Sequence, residues 1–234
     1  MKLEQAKVLV TGGSSGIGLA TARLLSEAGA AVVICGRNQS RLEEAAAQTG
    51  CTAIQTDVTD EAEVEKLIAS VVQALGGYNV VINNAGIGTF APLLEQSAAD
   101  FRQVWETNVL GAMLVARESA RHFAREEYGN IVNIASTSAN RGFPGGTAYV
   151  ASKFALRGMT ECWRAELRKY NVRVIQINPS EVITEFATRA GYGPQDDNPS
   201  KLQANDIGGL IVDVLKMEDR GFVTDATVWA TNPR

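Results

Sequence analysis

Short β-branched runs alternate with helix-length amphipathic stretches along this chain, and that alternation leaves few folds open. Residues 7–10, 31–35, 52–55, 79–83, 129–134 and 172–177 read as strands. They are short and apolar, as strands covered by helices on both faces are. Helical periodicity fills the gaps, over residues 17–28, 39–48, 61–75, 98–125 and 149–169. Within 61–75, the side chains of Val64, Leu67, Ile68, Val71, Val72 and Leu75 share one stripe. Such an order predicts an α/β fold, a mainly parallel, doubly wound sheet with right-handed crossovers and helices on both faces. A last helix over 204–216 and an edge-like strand near 227–230 complete the elements.

Length and charge narrow the reading. With 234 residues and no Pro/Ser linker or charge block, the chain reads as one domain over 1–234. The breaker-rich stretch 191–200 is long for a connector, so a substrate loop or lid is expected over about 187–203. The net charge of −4, from 22 basic and 26 acidic residues, argues against nucleic acid or an anionic membrane as partner. No apolar run approaches the ~18 residues of a membrane span. His122 is the one histidine, so a His-dependent triad or His-rich metal site would hang on it alone, and no metal site is expected. Cys35, Cys51 and Cys162 form no CxxC pair and read as small buried or partly buried side chains, consistent with a reducing, cytoplasmic setting.

Chemistry enters after the first strand, at Thr11-Gly12-Gly13-Ser14-Ser15-Gly16-Ile17-Gly18. Glycines ahead of a helix N-terminus let backbone N–H donors approach a phosphate. No Gly-Lys-Ser/Thr closes the loop, so it is not a nucleotide-triphosphate loop of the Walker type. A tight turn serving only strand–helix packing is the competing reading. The second strand ends Cys35-Gly36-Arg37-Asn38, without the carboxylate that holds a ribose diol in NAD enzymes. Arg37 offers a guanidinium suited to a 2′-phosphate, so NADP(H) is expected over NAD(H).

Tyr149 and Lys153 stand four residues apart, on one helix face. A phenol titrates near pH ~10, too high for acid–base work at neutrality, and a neighbouring ammonium favours its ionised form. Taken alone, a packed tyrosine beside a snorkelling lysine is the commoner meaning of this spacing. Three further features change that balance: the glycine loop, Asn83-Asn84-Ala85-Gly86 after the fourth strand, and Ser136 thirteen residues before Tyr149. Together with these, the chain resembles the short-chain dehydrogenase/reductase family, from Lys7 to about Thr184.

The resemblance implies a seven-stranded Rossmann-type sheet and roles residue by residue. Tyr149 would be the catalytic acid/base, Ser136 would hold the substrate oxygen, and Lys153 would bind the nicotinamide ribose and tune the tyrosine. Asn108 would support a water-linked proton relay. Gly12, Ser14, Ser15, Gly16, Ile17, Gly18 and Arg37 would meet the cofactor phosphates. Asp57 and Val58 would meet the adenine, Asn84, Ala85 and Gly86 the adenosine side, and Pro179, Val182 and Thr184 the nicotinamide. Ser138 is a rival to Ser136 by position. A homodimer or homotetramer is expected, with Trp105 and Trp163 either at its interface or in the core.

Departures limit the resemblance. Asn178-Pro179-Ser180-Glu181 replaces the usual Pro-Gly, and Glu181 faces either the substrate entrance or solvent. The branch it most looks like is reductases of 3-oxoacyl carrier-protein thioesters, yet Glu126 and Glu127 would repel an acidic carrier. The reading is therefore an NADPH-dependent carbonyl reductase, reversible as an alcohol dehydrogenase, acting on a small-molecule ketone. A carrier-bound acyl chain, a small non-acyl carbonyl compound and a silent dinucleotide-binding regulator are the alternatives. An epimerase or dehydratase fits the short C-terminal region poorly.

Overall fold

The computed structural model describes residues 1–191, 193 and 198–232. Its strands are β1 (Lys7–Thr11), β2 (Ala31–Gly36), β3 (Thr52–Gln55), β4 (Val80–Asn83), β5 (Gly129–Ile134), β6 (Val172–Pro179), β7 (Val182–Ile183), β8 (Leu202–Gln203) and β9 (Asp225–Val228). Its helices are α1 (Gly16–Glu27), α2 (Gln39–Thr49), α3 (Glu61–Leu75), α4 (Ala98–Trp105), α5 (Ala112–Glu126), α6 (Thr147–Leu167), α7 (Glu185–Arg189) and α8 (Ala204–Lys216). Seven strands form one sheet in the order β3-β2-β1-β4-β5-β6-β9, every pair parallel. β7 and β8 form a separate parallel pair.

The alternation along each strand explains the two-faced core. Val8, Val10, Val32, Ile34, Val80 and Ile82 point to the side covered by α1, α2 and α8. Leu9, Val33, Cys35, Val81 and Ile131 point to the other side, against Val64, Leu67 and Val71 of α3 and Phe123 of α5. Period-two side chains that are apolar on both faces require helices on both, and the crossovers supply them. Helix ends follow local chemistry. Asn38 and Asp60 cap α2 and α3 by accepting from the Arg41 and Glu63 amides, and Gly50 and Gly76 close those helices in left-handed conformation.

The strand order reverses between β1 and β4, which leaves a crevice at their carboxyl ends. The predicted helix over 98–125 is interrupted. A π turn at Glu106–Gly111 joins α4 to α5. That wider turn brings the Asn108 amide to the backbone of Ile87, and Gly111 permits close approach of Val58. The last strand lies two residues earlier than expected because its partner is set by β6, with Gln176 opposite Asp225 and Pro179 opposite Val228.

The lone histidine, expected to take no catalytic role, is packed in the core. The His122 ring stacks on Tyr78 at 5.0 Å, inclined by only 4°, and lies beside Phe123 in the core. Cys35 and Cys51 are buried as expected, but Cys162 is exposed on α6. Among the described residues, no helix is long and apolar enough to cross a membrane, and no cluster of His, Cys, Asp and Glu is arranged to hold a metal. Of the expected lid, residues 192 and 194–197 lie outside the described set.

Candidate active site

A cleft of about 1190 Å3 opens at the crevice between β1 and β4. The loop after β1 forms its floor. Gly12 and Gly16 have φ of +63° and +52°, a region that residues with side chains rarely adopt. A Cβ at Gly12 would also stand 3.0 Å from the Ala85 backbone. Ser15 begins α1 without a side-chain cap, and no acidic residue occupies the first turn. The first N–H groups of α1 are thus left for an anion, and the helix dipole favours one there.

What holds this loop is a network not expected from the sequence. Thr11 Oγ1 accepts from the amides of Asn84 and Ala85, each at 3.0 Å. Asn84 Nδ2 donates to the carbonyls of Thr11 and Gly12 at 2.9 and 3.2 Å. The Asn84 amide is therefore spent on stapling β4 to the glycine loop, although the residue still borders the cleft. Gly18 does not line the cleft. A Cβ there would collide with the Gly12 carbonyl oxygen and stand 2.5 Å from Asn84 Nδ2, so this glycine serves helix-to-loop packing. Gly18→Ala is expected to cost roughly 1–3 kcal/mol through overpacking. A lower melting temperature and weaker dinucleotide binding would register it, and a variant indistinguishable in both would remove this role.

The remaining expected residues mostly converge. Gly12, Ser14, Ser15, Gly16, Ile17 and Arg37 line one end of the cleft with Asp57 and Val58, and Ala85 and Gly86 line its middle. Pro179, Val182 and Thr184 border the far side. Thr184 closes over Gly16, where a Cβ would stand 3.3 Å from the threonine side chain. Arg37 is exposed, and its guanidinium forms no ion pair among the described residues. Arg41, which sequence reasoning missed, also lines the cleft and pairs with Glu185 at the start of α7. Its signal was only its position one helical turn after Arg37. Glu181 lines the cleft and pairs with Lys201 at 2.7 Å.

Ser136, Tyr149 and Lys153 meet at the other end. The Ser136 hydroxyl accepts from the Ser138 amide at 3.1 Å and borders the cleft together with Tyr149. Ser138 also borders the cleft, but of the two serines it is Ser136 whose side chain works to lower the Tyr149 pKa. Burial raises the Tyr149 pKa to about 12, against the smaller lowering influence of Ser136. Lys153 Nζ donates to the Ile134 carbonyl at 2.9 Å and stands 5.6 Å from the Tyr149 ring centroid. Burial lowers its pKa to about 8. The tyrosine is thus held neutral by its surroundings, and Ser136, rather than the lysine, is what opposes that rise.

Asn108 lies one layer behind the cleft. Its Oδ1 accepts from Ile87 N at 2.8 Å, and its Nδ2 donates to Ile87 O at 2.9 Å and to Ser152 Oγ at 3.0 Å. Ser152 in turn donates to the Tyr149 carbonyl at 2.7 Å. Both Nδ2 hydrogens are used, so the side chain ties the Ile87 segment to the helix that carries Tyr149.

Comparisons with known proteins agree with this architecture. The family model described as short chain dehydrogenase matches residues 6–193. An uncharacterised oxidoreductase of Staphylococcus aureus (strain MRSA252) is 34% identical over 223 residues, covering 94% of this chain and 95% of the relative. An alcohol dehydrogenase from the archaeon Thermococcus sibiricus, solved with 5-hydroxy-NADP, superposes with a TM-score of 0.87 at 27% identity, over 97% of each chain. A 3-ketoacyl-(acyl-carrier-protein) reductase from Brucella melitensis, solved with NADH, gives 0.90 at 25% identity, over 98% of each chain.

Proposed function

The chain belongs to the short-chain dehydrogenase family and is an oxidoreductase that uses a nicotinamide dinucleotide; on that footing we propose that it reduces a ketone with NADPH, Tyr149 giving the proton. The observation that carries this reading is the buried Lys153 ammonium set 5.6 Å from the Tyr149 ring centroid, with Ser136 lining the same cleft that also takes in the glycine loop. The cradle fits the cofactor: uncapped α1 amides, a loop with no room for a Cβ at Gly12, and an Arg37 guanidinium with no carboxylate partner among the described residues. When bound, the cofactor supplies or accepts a hydride.

The side chains do the rest. Ser136 and Tyr149 direct their hydroxyls at the carbonyl oxygen of a substrate in the cleft. A phenol whose pKa is near 12 stays protonated at neutral pH and can hand its proton to the oxygen as negative charge develops there. Lys153, protonated below about pH 8, lies close enough to steady the phenolate left behind. Asn108 and Ser152 position the tyrosine's helix against the Ile87 segment. This protonation pattern serves reduction at neutral pH, while alcohol oxidation would need the phenolate. Ketone-dependent loss of NADPH absorbance tests the reading, and no loss with any carbonyl compound would overturn it.

NADPH preference rests on Arg37 and the absence of a carboxylate at the end of β2, with Arg41 beside it. Arg37→Ala is expected to weaken NADPH by roughly tenfold to a hundredfold, the worth of a charged hydrogen bond, and NADH little. Equal losses for both cofactors would remove the 2′-phosphate assignment. A homo-oligomer is supported by exposed apolar side chains on α4, the π turn and α6, namely Trp105, Leu110 and Phe154, whereas Trp163 is half-buried and packs against the core.

A further inference from the structure

Two phenylalanines from separate parts of the chain flank the Tyr149 ring, and a third extends their wall. Phe90, in the segment after β4, has its ring centroid 5.6 Å from that of Tyr149, inclined by 58°. Phe186, on α7, stands 5.5 Å away on another contact, inclined by 56°. Phe143, before α6, continues the wall 5.9 Å from Phe90. All three border the cleft. Gly88 leaves them room, because a Cβ there would stand 2.8 Å from Phe186 Cζ and 3.1 Å from the Phe90 ring. Phe143 remains 42% exposed, so its ring is not consumed by the core.

Charge points the same way. Arg189 on α7 and Arg41, beside Arg37, share the one carboxylate of Glu185, and Lys201 is bound to Glu181. The lining cations left without a carboxylate among the described residues are Arg37, at the far end, and Lys153, which bonds the Ile134 carbonyl beneath the tyrosine. The three phenylalanine rings offer no cation of their own, and a carboxylate seated against them would be desolvated without a partner there, which is costly. Ring edges and faces inclined in this way reward another ring beyond the area it buries, whereas an alkyl chain gains the area alone.

We infer that the substrate is an uncharged ketone bearing an aromatic ring, its carbonyl at Ser136 and Tyr149 and its ring among Phe90, Phe143 and Phe186. This rests on the carbonyl-reductase reading above. The test compares three methyl ketones with NADPH: benzylacetone, a straight-chain ketone of equal carbon count, and levulinate. Their carbonyls are alike in reactivity, so kcat/KM reports the pocket.

Benzylacetone should exceed the straight-chain ketone by about tenfold, the worth of one or two ring contacts, and levulinate by more. In a Phe143→Leu/Phe186→Leu variant that still binds NADPH by fluorescence, the ratio of the first two should fall towards one. A straight-chain ketone or levulinate turned over as well as benzylacetone would overturn the aromatic assignment while leaving the reductase standing. A ratio unchanged in the double variant would do the same. Turnover of none of the three, nor of any other carbonyl compound, would overturn both.

Discussion

Replacing Tyr149 with phenylalanine is expected to lower ketone reduction by about a thousandfold or more, within the range a positioned general acid supplies. The ring stays, and with it the contacts to Phe90 and Phe186, so the site keeps its shape. Ser136 keeps the Ser138 amide as a partner, so little is left unsatisfied. Stability should change by less than about 1 kcal/mol, because one hydroxyl is exchanged for hydrogen in an otherwise unaltered packing. NADPH affinity, read by fluorescence, should be close to wild type. Retention of a tenth or more of the wild-type kcat would show that the proton comes from elsewhere.

Lys153→Met should be nearly as damaging to turnover, by about a hundredfold or more, yet should stabilise the free protein. The native pKa of Lys153 is about 8, below its ordinary 10.5, because burial disfavours the ammonium. Below about pH 8 the lysine is charged both folded and unfolded, so the whole burial penalty is present, on the order of 3 kcal/mol. Between about pH 8 and 10.5 the unfolded chain holds more protons than the native one, and wild-type stability rises with pH as the penalty fades. Loss of the bond to the Ile134 carbonyl offsets part of the gain, by about 1 kcal/mol. The variant's advantage in denaturant melts should therefore be largest at neutral pH and shrink towards pH ~10. A variant less stable than wild type at pH 7, or an advantage that grows with pH, would contradict the buried-ammonium account.

Much of this was legible in one dimension because period and spacing are local. Apolar runs such as Val8–Val10 and Val80–Ile82 declare strands buried on both faces, and the α3 stripe declares its helix. The glycine turn at Gly12 and Gly16 was readable because glycine readily takes the positive φ found at both. The fourfold spacing of Tyr149 and Lys153 was readable because α6 is regular there. What escaped depends on contacts between distant segments. Gly18 looked like a phosphate glycine and is a packing glycine, which only the Gly12 carbonyl and Asn84 reveal.

Other losses have the same origin. Phe90, Phe143 and Phe186 are ordinary apolar residues in sequence and become a wall only when two loops and the start of α7 converge. The spacing of lysine and tyrosine predicts a lowered phenol pKa. Burial of both groups instead raises one and lowers the other, a balance set by enclosure and not by spacing. The π turn had no proline or glycine pair to announce it, and the bond it allows between Asn108 and Ile87 joins segments distant in sequence.

Hydride delivery to a carbonyl carbon is the central claim, and isotope transfer reads it most directly. Wild-type protein, benzylacetone and NADPH carrying deuterium at the transferable C4 position should yield an alcohol with one deuterium on its carbinol carbon. In the same preparation, Tyr149→Phe should yield almost none. An alcohol formed without that deuterium, or NADPH consumed with no alcohol formed, would contradict the account.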